Sequence, residues 1–145
     1  MRHSALALVL ALLPTLSYAQ VPAVLGKCIV ANLSSGDRQL VARWVFLSMA
    51  VRPDVKRLSL ENTQVTQETA QRMGALFTRT LRDLCPNEVR EAAGAGGPPV
   101  VTSTINFFTQ LGIQELMTNR SVLATHSSFG QYADKESIDR IAGSK

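Results

Sequence analysis

The chain has 145 residues, of which 15 are basic and 11 acidic; 46% are hydrophobic and two are cysteines. That length holds one domain with a modest core rather than two. The charges are spread along the chain with a small net excess, which excludes the concentrated basic face of a nucleic-acid binder.

Residues 1–19 have the three parts of a secretory signal peptide: Arg2 as the positive start, the apolar run 5–16, and the small residues of "SYA" before a cut expected after Ala19. The apolar run is short for a bilayer span and contains Pro14, so no integral span is expected once the leader is gone. Lys27 stands where a lipobox has a small residue, which disfavours a lipid anchor at Cys28. Removal of the leader leaves 145 − 19 = 126 residues, with 14 basic against 11 acidic side chains; ten of the basic residues are arginines. Arginine binds carboxylates bidentately, which allows anionic partners without demanding them.

In an oxidising compartment Cys28 and Cys85 are expected to form a disulfide. The alternatives are a free buried thiol or a redox pair, and the latter lacks C-x-x-C spacing. Their separation of 57 positions closes a loop worth about 4 kcal/mol in the chain-entropy model.

The first predicted helix starts at Ser34, with Asp37 three residues on as a capping box, and ends at Arg52 because Pro53 follows. Leu40, Trp44, Leu47 and Val51 fall on one face and are read as core. Phe46, Met49 and Val45 point the other way. For Phe46 and Met49 the favoured place is inside the core, between two other helices; the alternative is an exposed patch that docks a partner or a second copy.

A polar connection leads to a second predicted helix, capped by Thr66 and supported by a Glu68 to Arg72 pairing. Ala70, Met73, Phe77, Leu81 and Leu84 give it a 3.6-residue period, with Arg72, Arg79 and Asp83 on the far side. Cys85 closes it, and Pro86 opens a short helix or turn over 86–93. "GAGGPP" at 94–99 reads as a loop and not as a phosphate cradle, since its prolines stop the helix start that would hold one. A third helix is expected over 100–118, its stripe formed by Val101, Ile105, Phe108, Gly112 and Leu116, although "VVTSTI" also has strand character. Gly112 and Gly74 are expected to allow close backbone approach.

The last 25 residues carry fewer apolar groups. They predict a short helical turn at 121–126, an extended stretch, and a helix over 134–142 with Gly143 past its end. The fold class is therefore all-α: a small disulfide-stapled bundle of three main helices plus one or two short ones, in one domain over 20–145 with 121–145 as an extension. The cysteine positions place the start of the first main helix near the finish of the second, hence antiparallel.

No catalytic constellation is assembled by the sequence. After the leader the one histidine is His126, and neither a nucleophile triad nor a clustered metal-ligand pattern accompanies it. Glu115, at the edge of an apolar stripe, and Arg43, inside the apolar run of the first helix, form a register-fixing salt bridge if they meet. No cofactor and no metal is expected.

The run "DRQLVARWVFLSMAVRP" resembles a segment of small exported proteobacterial helical proteins of unknown function, in which an acidic–Arg pair precedes a Trp-x-Phe core and a closing proline. With the flanking cysteines the likeness spans about half of the chain after the leader. It implies a Gram-negative periplasmic home and a helical fold, and no activity. The expected role is a non-enzymatic periplasmic protein that binds another periplasmic or envelope protein, such as an inhibitor, immunity factor or accessory, or itself. Its interaction candidates are Arg43, Phe46, Met49 and Glu115. The alternatives are a small-molecule or lipid carrier with an inter-helix pocket gated by the "GAGGPP" loop, and an enzyme using Glu115 or His126.

Overall fold

Local signals build most of the helices. A computed structural model describes residues 21–58, 62–95 and 99–143. The expected leader and positions 96–98 of the "GAGGPP" loop lie outside the described residues.

The Ser34 hydroxyl accepts from the Asp37 N–H at 3.1 Å, and the Asp37 carboxylate accepts from the Ser34 N–H at 3.0 Å. This capping box starts α2, Ser35–Ala50. Before it lies α1, Ala23–Asn32, which contains Cys28. The sequence reading placed Cys28 ahead of any helix. That was wrong because α1 follows Pro22 with no side-chain cap, no acid in its first turn and no base in its last, so the usual start and stop marks are missing. Burial of Leu25, Ile29 and Leu33, one turn apart on one stripe, holds it instead.

Pro53 opens a single turn, α3, Pro53–Lys56. Next comes α4, Thr63–Arg79, which starts three residues before the expected cap: Asn62, not Thr66, accepts from Gln64 N–H and Val65 N–H. Thr66 lies inside the helix, its hydroxyl turned back to the Asn62 carbonyl at 3.2 Å. Glu68 accepts from Gln64 rather than pairing with Arg72. A wider π-helical turn, Thr80–Leu84, ends α4, closed by the Cys85 N–H donating to the Thr80 carbonyl five residues back. After it come α5, Pro86–Gly94, and α6, Val100–Thr118, which is helical throughout, including "VVTSTI".

The expected disulfide forms between Cys28 and Cys85, with Cα atoms 6.0 Å apart. It ties α1 to the end of α4. Antiparallel packing of α2 and α4 is also present, since Arg79 near the end of α4 binds both Asp37 carboxylate oxygens at 3.0 Å at the start of α2. The core runs from α1 through α2 and α4 to Phe108 of α6, which is fully buried against Phe77 with ring centroids 5.9 Å apart.

Gly112 sets the α2–α6 contact. A Cβ at this position would overlap Val45 and come within 3.0 Å of the Val41 carbonyl oxygen. Gly74, expected to serve the same purpose, has open space around it. The stripe of α6 is also rotated from expectation: Ser103, Thr104, Phe108 and Gly112 are buried, while Val101 and Ile105 face solvent.

The chain then continues as an arm: α7, Arg120–Ser127, a 3-10 turn at Ser128–Tyr132 where an extended stretch was expected, and α8, Lys135–Ala142. Asp134 caps α8 by accepting from the Ser137 N–H, and Gly143 ends it in the left-handed region at φ 70°, as its sequence predicts. Among the described residues there is no strand, and no helix is long and apolar enough to cross a membrane.

Candidate functional site

The central position of α2 decides which of its apolar residues are covered. Its Leu40 and Trp44 side turns to α4, and its Val41, Ala42 and Val45 side turns to α6. Among the described residues no further helix covers Phe46 and Met49. Phe46 and Met49 are consequently 53% and 47% exposed, against the expectation that they lie in the core. Val51, read as core, is exposed as well, and Leu47 and Trp44 are half-buried. The favoured core placement of this second stripe fails because α4 and α6 take up only the Leu40, Trp44, Val41 and Val45 sides of α2, and the alternative, surplus apolar surface, is what Phe46 and Met49 present.

Phe46 stands over a groove of about 460 Å³ between α2 and the C-terminal half of α6. Ala42, Arg43 and Gln39 line it from α2, Glu115, Leu116 and Thr118 from α6, and Asn119 with Val122 of α7 closes one end. The groove follows from the Gly112 contact. Where the two helices touch through a glycine, their larger residues, Phe46 and Leu116, are left at the lip rather than between them. Met49 lies one turn beyond Phe46 on α2, and Ile113 one turn before Leu116 on α6, both exposed; they extend the same apolar surface by helical spacing.

Arg43 and Glu115 face this groove together, yet no ion pair joins them. The expected register-fixing bridge is absent. Both charges remain open to an incoming molecule. Glu115 also lines an adjoining hollow of about 240 Å³ with Arg38, whose guanidinium donates to the Val30 carbonyl at 2.9 Å.

A charged clamp lies away from the groove, at the head of α2. Partial burial works to raise the Asp37 carboxyl, but donation from the Ser34 hydroxyl and N–H and from Arg79 outweighs it. The group stays below the ordinary carboxylate range. This is a structural clamp between α2 and α4 and leaves no acid poised for proton transfer.

On the opposite flank of α2 is a second cleft, of about 210 Å³, lined by Trp44, Ala70, Met73, Gly74, Phe77, Ile105 and Phe108. Its lining is apolar apart from the Trp44 indole N–H, and it holds no charged group.

Among the described residues these clefts bring together no histidine–nucleophile pair and no pair of acids. His126 is exposed on α7, edge-on to Phe129 at 6.5 Å, and Glu115 shares the groove with the Thr118 hydroxyl but with no histidine or second acid. The Cys28 and Cys85 sulfurs lie within 4.8 Å of a Glu88 carboxylate oxygen. Those sulfurs are bonded to each other, so they present no thiolate for a metal.

Of the four expected interaction residues, Arg43, Phe46 and Glu115 line the groove and Met49 lies one turn beyond it, while Leu116 on the α6 wall and Val122 at the end were not among those expected. Leu116 was assigned to the core stripe of α6, which the Gly112 contact rotates. Comparison with family models, curated proteins and solved structures finds no match to this chain.

Proposed function

We infer that this is a non-enzymatic protein of the periplasm that binds another protein through the α2–α6 groove, as an inhibitor, an immunity factor or an envelope accessory. The observation that carries the reading is the exposure of Phe46 in a groove shared with Leu116 and Val122, continued by exposed Met49 one turn along α2, with Arg43 and Glu115 unpaired in the same groove. Aromatic, methionine and arginine side chains are the types enriched where proteins meet. The signal-peptide pattern of residues 1–19 and the Cys28–Cys85 bond support the exported compartment.

A photoreactive benzoylphenylalanine at position 46 of the full exported chain tests this reading. Irradiation is expected to give a protein adduct of defined mass, absent when the same group replaces Glu91 on α5. Equal adduct patterns from both positions would remove the groove from consideration.

The largely apolar Trp44 cleft favours one other reading, a carrier of small apolar molecules. Size weighs against it. The cleft's 210 Å³ is below the about 300–1,000 Å³ that ligand pockets hold. Trp44 is the chain's single tryptophan, so its fluorescence reports on the cleft directly. Titration with laurate is expected to leave the emission unchanged, and a saturable shift would restore the carrier.

A further inference from the structure

We propose that the α2–α6 groove receives the C-terminal arm, residues 120–143, of a second copy of this chain in a reciprocal exchange. This rests on the reading that the groove binds protein, and names the partner.

The arm lacks a core of its own. None of residues 119–143 is buried; Phe129 is 68% exposed, Tyr132 84% and Ile141 88%. Helices of this length do not persist in water by themselves, because nucleation costs more than a few hydrogen bonds return. Even so, α8 carries a cap at each end, Asp134 and Gly143. Its apolar residues Ile138, Ile141 and Ala142 fall on one side of the helix and its four charges on the other. Such a helix is built to lie on something.

The described residues of its own chain do not provide the seat. Asn119 and Val122 form the end wall of the groove, so the arm leaves from the groove's end, and α8 has no buried residue against α2 or α6. A membrane surface is disfavoured by charge. The polar side of α8 balances Lys135 and Arg140 against Glu136 and Asp139, whereas helices that bind anionic bilayers carry an excess of lysine and arginine.

A second copy satisfies both halves. The groove holds one cation and one anion without ion partners, Arg43 and Glu115, and the arm holds Lys135 and Asp139 in the same condition beside its apolar stripe. The area is also sufficient. Phe129 and Tyr132, at their exposures, leave about 300 Å² of aromatic side chain in water per arm. Two exchanged arms matched by equal groove surface give about 1,200 Å², the lower bound of a stable interface before any aliphatic residue is counted. The exchange is two-fold and closed, with each copy supplying one arm and one groove.

Sedimentation equilibrium of the full exported chain tests this. The wild type is expected to be a dimer. Ile138→Asp with Ile141→Asp on the arm, and separately Phe46→Asp in the groove, should each raise the dissociation constant by about tenfold or more. All three positions are exposed, so far-ultraviolet dichroism should be unchanged. Mixing the arm variant with the groove variant should re-form a dimer, because one arm–groove pair stays intact; a dimer joined groove to groove would not recover. A wild type that is monomeric at about 1 mM, or a dimer indifferent to the arm changes, overturns the exchange. If that monomer still gives an adduct from position 46 with a different protein, the docking reading survives without self-exchange. A monomer with no adduct removes both.

Discussion

The described residues of 21–118 and residues 120–143 both carry apolar side chains at helical spacing, yet only the first region buries any of them. In the first region Leu25, Ile29, Val41, Met73, Leu76 and Phe108 close on one another around a disulfide and a glycine contact. In the second, Val122, Leu123, Phe129, Ile138 and Ile141 remain in water although the helices bearing them are well capped. Caps settle whether a segment is helical. Burial depends on a long-range partner, and among the described residues the arm has none.

The disulfide gives the largest expected effect on this contrast. Replacing both cysteines by Cys28→Ser and Cys85→Ser should cost about 4 kcal/mol in urea unfolding, against a total margin of about 5–15 kcal/mol for a domain. An unchanged urea midpoint would mean that the α1–α4 staple does not hold the buried region. Next in size is Gly112→Ala, whose methyl meets Val45 and the Val41 carbonyl. The resulting displacement of α6 from α2 should cost about 1–3 kcal/mol, read as a lower thermal midpoint.

These two features also show where the sequence was legible. The cysteine pairing, the Ser34–Asp37 capping box, the extent of α6 and the Asp134 to Gly143 helix could be read because each depends on residues close in sequence or on a compartment rule. Missed were α1, which has no capping marks, and the face that each helix turns inward. Val101 and Ile105 fit a good stripe, but the Gly112 contact turns α6 so that Ser103 and Thr104 go inside instead. The candidate site was half legible for the same reason. Phe46 and Met49 stood out as excess apolar surface, while their exposure depended on how many helices α2 would meet, a number that no local pattern encodes.

Electrostatics sharpen the contrast at a smaller scale. The Asp37 carboxyl is lowered in the folded chain relative to its ordinary 3.8, since the Ser34 and Arg79 donors outweigh its partial burial. A lowered acid contributes stability that is complete above the ordinary value and is lost as pH falls through the native one. Acid titration of unfolding should therefore show a decline below about pH 4 that Asp37→Asn removes, with about 1 kcal/mol lost at neutral pH from the broken cap. Asp134 is lowered as well, chiefly by the Ser137 N–H, but it is exposed on the arm, so its protonation should fray α8 without moving the global transition. Smaller again, and of opposite sign to Gly112→Ala, is Gly74→Ala. With open space around the added methyl, it should stabilise α4 by about 0.5–1 kcal/mol.

The smallest effect divides the two regions most sharply. Ile141→Ser on the arm should change the unfolding free energy of dilute protein by less than about 0.5 kcal/mol, because an isoleucine 88% exposed has almost no burial to lose. Concentration alters the expectation. If arms are exchanged between copies, the wild-type midpoint should rise with protein concentration as mass action favours the folded dimer, and Ile141→Ser should flatten that rise. Parallel concentration curves for the two proteins would mean that the arm's apolar stripe is not covered by a second copy. Because a loss at dilution and a loss only on concentration differ in where the contact lies, this one substitution separates a side chain that stabilises its own fold from one that waits for a partner.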